Sequence, residues 1–244
     1  MYFRQISEQS FIIYFKAEIS ESVYEHVNAV VEHIQKMNHP HIHEIVPSYR
    51  AIMVYFDGIQ TDFETLIQAL QLDTLDMQQT RVNTVQKRIV NIPVLYGGKW
   101  GPDIEIVADH NHLTVDEVIQ YHTENHYLVY MIGFMPGFPF LGGLSPRLHT
   151  PRKEEPRIKI DAGSVGIANN QTGLYPSDSP GGWQIIGRTP IDVFNPKREP
   201  KILYQPGDRI KFYSINEEQF LHIQKYVRKN QLDYDEWVMI EDGH

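Results

Sequence analysis

Along the first 75 residues the hydrophobic pattern switches between two periods. Ser10 to Phe15 (SFIIYF) is β-branched and aromatic, which predicts a strand. Ser20 stands where an N-cap belongs, Glu21 falls in the first turn, and Val23, Val27, Val30, Val31 and Ile34 recur at helical spacing. A helix from Glu21 to Met37 follows from that stripe. Ile42 to Val46 and Tyr49 to Phe56 read as two strands separated by Pro47-Ser48, and Asp57-Gly58 is a turn signal. Thr61 is placed to cap a second helix with Phe63, Leu66, Ile67 and Leu70 on its inner face. The order β-α-β-β-α buries these stripes most economically as an α+β domain, a ferredoxin-like sandwich. The polar segment Asp76 to Lys87 offers few core residues, so the expected domains are 1–86 and 87–244.

The second part has a different texture. Arg88 to Leu95 and Tyr127 to Ile132 are apolar strand runs, and between them Thr114 to Tyr121 has capping-box form, with Glu117 three residues after Thr114. That helix is expected to be the only substantial one in the middle of the domain. Short strand-like runs then alternate with Gly/Pro turns: Val165 to Ala168, Trp183 to Ile186, Ile191 to Phe194 and Arg209 to Tyr213. This spacing predicts a β-barrel or sandwich. Phe220, Ile223 and Val227 mark a C-terminal helix over Glu217 to Lys229.

Charge and composition narrow the function classes. The net charge is −9 and no basic run occurs, which disfavours nucleic acid and anionic membranes as partners. With no cysteine, thiolate catalysis, disulfides and Cys-ligated zinc are excluded. The twenty uncharged residues from Tyr127 to Pro146 contain four glycines and three prolines, a poor transmembrane helix. The N-terminus lacks the apolar core of a signal peptide, so a cytoplasmic location is expected.

The chemistry concentrates between Ala162 and Pro190. From Ala162 to Gly187 the only charged residue is Asp178, and Arg188 stands at the end. Ten of the 16 glycines lie between Gly133 and Gly187, the composition of a surface that needs close backbone approach. Gly163, Ser164, Gln171, Tyr175, Gly181, Gly182, Trp183 and Gln184 are the candidate substrate-binding residues, polar groups on an apolar floor. Arg188 in such a setting calls for a carboxylate or phosphate, supplied either by Asp161 or Asp178 or by an anionic substrate. His122, at the end of the capped helix, is either a helix-terminal residue favoured by the macrodipole or a general acid/base. His39, His41 and His43 alternate, but Pro40 interrupts them and no carboxylate partner is evident, so no metal is expected. His110 and His112 fall in a polar segment expected to be a surface loop. There is no Walker, G-x-S-x-G, H-E-x-x-H or Rossmann signature.

Five ordered motifs carry a resemblance: GFMPGFPFLGGL at Gly133 to Leu144, Pro151-Arg152, AGSVGIA at Ala162 to Ala168, QTGLYP at Gln171 to Pro176, and SPGGWQIIGRTP at Ser179 to Pro190. Together with VPSYRAIMVYFD at Val46 to Asp57 and LYGGKWGPDIEIVA at Leu95 to Ala108, they closely resemble the 5-oxoprolinase B-subunit family, also called the KipI or allophanate hydrolase subunit 1 family. The resemblance implies a cyclophilin-like β-barrel after the α+β domain. It implies a homologous second subunit, KipA-like or allophanate hydrolase subunit 2-like, and a LamB-like third one. Together these open 5-oxo-L-proline to glutamate with hydrolysis of ATP. It also implies relatives in the carboxyltransferase portion of urea carboxylase and a branch that inhibits autophosphorylation of a sensor histidine kinase. Asp161 departs from the pattern, since many members have proline there. On this reading Arg188 supplies a cation, His122 a base, and the glycine loops N–H donors, within a site shared with a partner.

Overall fold

The computed structural model describes residues 1–75, 87–229, 231–234 and 238–241. The polar segment expected to hold the domain border, 76–86, lies outside the described residues. The chain forms two compact units, Met1–Val85 and Gln86–His244.

In the first unit, β1 (Tyr2–Ser7) and β2 (Ser10–Tyr14) form a hairpin, α1 (Glu21–Met37) follows, and β3 (Ile42–Pro47), β4 (Ala51–Phe56) and α2 (Phe63–Ala69) complete it. The sheet is antiparallel in the order β1-β2-β4-β3. Ser20 accepts from the Val23 amide to start α1, and Asn38 ends it in the left-handed conformation. Val23, Val27, Val30 and Ile34 meet Phe11, Ile13, Ile52, Val54, Leu66 and Leu70 in one core. Two expectations need correction. Asp62, not Thr61, caps α2, its Oδ1 accepting from the Thr65 amide at 2.8 Å. Strand β1 was unforeseen because it lies at the sheet edge with nearly every residue exposed, so it carries no buried stripe.

The second unit is built on β5 (Lys87–Tyr96). Its elements continue with α3 (Ile104–Asn111), α4 (Val115–Glu124), β6 (His126–Ile132), β7 (Pro139–Gly142), a 3-10 turn at Pro146–Leu148, β8 (Arg157–Ile160), β9 (Ser164–Ala168) and β10 (Gln171–Leu174). They end with β11 (Ser179–Gly181), β12 (Gln184–Arg188), β13 (Arg209–Ser214), α5 (Glu217–Arg228) and β14 (Val238–Glu241). The main sheet runs β10-β9-β12-β5-β13-β6-β7, with β14 also on β5. β13 lies parallel to β5, and the other pairings are antiparallel. The end strands β10 and β7 pack together, so this mixed sheet is a nearly closed barrel, consistent with a cyclophilin-like fold. A separate two-stranded ribbon joins β8 and β11. Val90, Ile92, Val94, Tyr127, Val129, Val165, Ile167, Ile186 and Phe212 fill the interior.

Three local differences stand out. The capped helix is present as α4, with both halves of its box formed, but it is preceded by α3. His110 therefore lies on a helix and His112 caps it in the left-handed conformation, where a loop was expected. Ile191 to Phe194 is not a strand; among the described residues its only bridge is Phe194 to Ile202, although Ile191 and Val193 are buried. Near His39 and His41, whose rings are 5.5 Å apart, a bulge between Ile42 and Glu44 breaks the alternation that would align three imidazoles.

The barrel glycines serve close packing. A Cβ on Gly142 would come within 2.2 Å of the Tyr130 ring. Gly142→Ala is expected to destabilise the unit by about 1–3 kcal/mol through overpacking, read as a lower midpoint in urea; an unchanged midpoint would mean that the ring moves freely.

Candidate functional site

The run from Ala162 to Arg188 folds into β9, β10, β11 and β12 and the turns between them. Gly163 takes φ +83° and lies against the Thr189 carbonyl, which a Cβ would meet at 2.6 Å. Its amide donates to the Tyr175 carbonyl at 2.7 Å, and the Ser164 amide donates to the Asp161 carbonyl at 3.2 Å. These two N–H groups are therefore already bonded and are not open donors for a developing oxyanion, which corrects that expectation. Arg188 follows the same logic. Its Nε donates to the Ala162 carbonyl at 2.9 Å, Nη1 reaches Asp161 at 3.3 Å, and the guanidinium lies 5.6 Å from the Trp100 ring centre. Asp161, the residue that departs from the family pattern, thus answers the arginine directly. Lys159 bridges Asp161 and Asp178, and Asp178 accepts from the Ala162 amide at 2.8 Å. Arg188 and its surroundings form a network that fixes the turn at Ala162–Gly163.

Beside this turn lies an aromatic cluster. Phe138, Ile160, Tyr175, Trp183 and Ile185 are buried together, with Met135 and Phe140 against them. Tyr175 and Trp183 meet edge to face, their centres 6.2 Å apart, and Phe138 packs edge-on to both. Glycine makes this possible: a Cβ on Gly181 would lie 2.6 Å from the Tyr175 hydroxyl, and one on Gly173 would lie 3.2 Å from the Trp183 ring. Gly182 has only ordinary contacts, the nearest at 3.5 Å. Burial raises the Tyr175 phenol to about 12, against the opposing charges of Arg152 and Arg157, so it stays a neutral donor. Among the described residues its hydroxyl has no hydrogen-bond partner. Gln184 donates to the Pro151 carbonyl at 3.0 Å, while its Oε1 is buried without a partner. Gln171 opens β10, is half-buried and pairs with Ala168, a further member of this cluster.

At the rim, Phe134 of the GFMPGF segment takes φ +65° and is 75% exposed. A bulky residue in that region costs about 1 kcal/mol. Phe134→Gly is therefore expected to leave stability unchanged or raise it by up to about 1 kcal/mol; a clear loss in a denaturation curve would show that its contact with Phe138 outweighs the strain.

A buried ionic knot ties the cluster to α3. Asp103, the residue before α3, is 2% exposed. Its Oδ1 accepts from Arg157 at 2.7 Å and lies 3.5 Å from Lys153, and its Oδ2 accepts from the Ile185 amide at 2.7 Å.

His122 sits elsewhere, sealed in the barrel. It has no solvent exposure. Thr172 Oγ1 donates to the Gly166 carbonyl at 3.1 Å, so it accepts from His122 Nε2–H at 2.7 Å; Nδ1 then accepts from the Tyr96 hydroxyl, also at 2.7 Å. The ring stacks on Phe212. Desolvation lowers its pKa from 6.5 to about 3, so it is neutral at any ordinary pH. A general base needs reach to substrate and a free nitrogen; His122 has neither here, and the structure corrects that role to a core histidine.

Comparison with known proteins bears on what this arrangement belongs to. Residues 1–204 match the family model for "Carboxyltransferase domain, subdomain C and D". The B subunit of 5-oxoprolinase from Bacillus subtilis is 42% identical over 226 residues, covering 88% of this chain and 93% of that protein. The chain belongs to the 5-oxoprolinase B-subunit family. The solved structure of the protein TTHA0988 superposes with a TM-score of 0.72 at 32% identity over 88% of this chain, which spans only 40% of that one. The Kluyveromyces lactis urea amidolyase matches 98% of this chain and 16% of its own length, TM-score 0.78, at 19% identity, and so speaks to the fold alone.

For this family member, the structure brings Tyr175, Gly181, Trp183 and Gln184 together, and joins Gly163, Ser164 and Arg188 beside them through backbone bonds. His122 lies apart from them, sealed in the barrel, while Gln171 pairs with Ala168 of the aromatic cluster. The residues that sequence reasoning passed over are Asp103, Lys153, Arg157 and, above all, Arg152, whose guanidinium lies 5.9 Å from the Trp183 ring centre. Their sequence signals were the Pro151-Arg152 motif and, for Asp103, the stretch from Leu95 to Ala108.

Proposed function

We propose that this chain is one component of an ATP-dependent 5-oxoprolinase, which hydrolyses 5-oxo-L-proline to L-glutamate together with a homologous second subunit and a LamB-like third one. The observation that carries this reading is the 42% identity to a 5-oxoprolinase B subunit over 93% of that protein's length. The geometry supports a shared site. The described residues supply an aromatic wall and a cation, while His122 is sealed away and the Gly163 and Ser164 amides are already bonded. The strand order β1-β2-β4-β3 supports the ferredoxin-like reading of the first unit.

A five-membered lactam is an unactivated amide, and ATP supplies the activation of its carbonyl oxygen. The glycine-rich approach to α3, Gly97 to Asp103, commits the amides of Gly97, Trp100, Gly101 and Asp103 to backbone carbonyls, and Asp103 adds a carboxylate there, so these four amides are not donors to a phosphate. The chain's own part is to bind and orient: Trp183 and Tyr175 hold the ring, and Arg188 keeps the Ala162–Gly163 turn in place. Arg188→Ala is expected to lower turnover of the assembled complex at least ~10-fold without unfolding it, in line with the loss of one positioning contact. Activity beside a circular dichroism melt checks this; full activity would remove Arg188 from the site.

Carboxyl transfer in a urea carboxylase and kinase inhibition are the alternatives. Phosphate release by the assembled complex should depend on 5-oxoproline and not on urea. Release with urea and biotin carrier but not with 5-oxoproline would replace this reading with the first alternative.

A further inference from the structure

Among the described residues of the aromatic wall, Arg152 carries a charge that no neighbour answers. It follows Pro151, whose carbonyl is held by Gln184 Nε2, and its guanidinium lies over the Trp183 face at 5.9 Å. The neighbouring cations are committed, since Lys153 and Arg157 both bind the buried carboxylate of Asp103. Glu154 and Glu155 follow in the chain, yet among the described residues neither pairs with Arg152. Arg152 is exposed and has no carboxylate partner among the described residues. Its charge does reach the hydroxyl of Tyr175.

Two further polar groups of the same wall are unspent. The Tyr175 hydroxyl, on a residue 2% exposed, is a donor without a hydrogen-bond partner among the described residues. Gln184, 6% exposed, has Oε1 as an acceptor with none. The buried Gln184 Oε1 left unpaired costs free energy that a donor on a ligand recovers, and the Tyr175 hydroxyl is a donor for a ligand acceptor. A planar guanidinium and a phenol donor placed together suit a carboxylate, which takes the bidentate fork of arginine and a third hydrogen bond. The Trp183 ring below suits a small apolar ring.

We propose that Arg152, assisted by the Tyr175 hydroxyl, binds the carboxylate of a small cyclic carboxylic acid whose ring rests on Trp183, and so determines specificity for a carboxylate-bearing substrate. This rests on the 5-oxoprolinase reading only for the identity of that acid. Arg152 does not touch the lactam bond on this account; it sets which molecules are bound, and lysine at this position keeps the charge but loses the fork.

Binding rather than turnover is the readout. Isothermal titration of the assembled complex uses three probes: 5-oxo-L-proline, 2-pyrrolidinone (the same lactam without the carboxylate) and cyclopentanecarboxylate (a ring acid without the lactam). Wild type is expected to bind 5-oxoproline at least ~10-fold tighter than 2-pyrrolidinone, the scale of one charge-assisted hydrogen-bonded pair. Arg152→Ala should bring the two affinities close together by weakening 5-oxoproline alone, and Arg152→Lys should restore part of the preference. Tyr175→Phe should weaken 5-oxoproline by a smaller factor. Equal binding of 5-oxoproline to wild type and Arg152→Ala overturns the inference, as does a variant that weakens 2-pyrrolidinone equally, since that is the mark of a structural role. If 5-oxoproline fails to bind while cyclopentanecarboxylate binds in an Arg152-dependent way, the carboxylate site stands and the 5-oxoprolinase reading falls. Binding of neither acid overturns the carboxylate site itself.

Discussion

Replacing Asp103 by Ala is expected to destabilise the C-terminal unit by about 3–5 kcal/mol. The carboxylate is 2% exposed and serves three donors: Arg157, Lys153 and the amide of Ile185. Removing it strands a buried amide in β12 and leaves Arg157, half-buried beside Trp183, without its counter-charge. Because the knot links the start of α3 to β8 and β12, the loss should be read by both helix and aromatic signals. Urea titration followed by far-UV and near-UV circular dichroism measures it. Asp103→Asn keeps an acceptor for the Ile185 amide and should lose less. A change below about 0.5 kcal/mol for Asp103→Ala would mean that water replaces the carboxylate at no cost, as at an ordinary surface position.

The second large effect is a pH dependence centred on His122. Its pKa is 6.5 for an ordinary histidine and about 3 in the fold, lowered by desolvation. Between those values the unfolded chain binds a proton that the folded chain refuses. Stability from this group is therefore complete above pH 6.5 and falls as pH drops toward 3, by about 1.4 kcal/mol per pH unit. His122→Gln removes the titration. The stability difference between wild type and variant should narrow by about 3 kcal/mol between pH 7 and pH 4, read from urea midpoints across that range. Parallel curves for the two proteins would show that His122 is protonated in the fold, and would reopen the question of its role.

Much of the architecture was legible in the residues because burial writes periodicity. Phe11, Ile13 and the stripe from Val23 to Ile34 announced their elements since each meets a core on one side only. The Thr114–Glu117 box announced α4 through its own hydrogen bonds. β1 and α3 were missed for opposite reasons: the first buries almost nothing, and the second is eight residues long with Ile104, Val107 and Ala108 as its only buried side chains. The Ile191 to Phe194 run was misread because apolar residues can be buried in a loop, and composition does not say whether their backbone finds a partner strand.

The site was legible in its location and not in its chemistry. The glycines between Gly133 and Gly187 did mark close approach, but the approaching groups are the rings of Tyr130, Tyr175 and Trp183 and neighbouring carbonyls. A sequence cannot show whether a glycine yields to a ligand or to its own protein. Arg188 stood out by its isolation in sequence, yet Asp161 answers it in space. Arg152 was inconspicuous in a charged segment, PRKEEPR, and became the wall's uncommitted cation among the described residues only because Lys153 and Arg157 turn to Asp103. His122 was marked correctly as unusual, but what is unusual is its burial.

Whether this chain completes a 5-oxoproline-hydrolysing site is tested most directly by measuring glutamate formed from 5-oxoproline and ATP by the partner proteins with and without it. Glutamate should appear only when the chain is present. Equal rates of glutamate formation in its presence and absence would contradict its proposed part in the site.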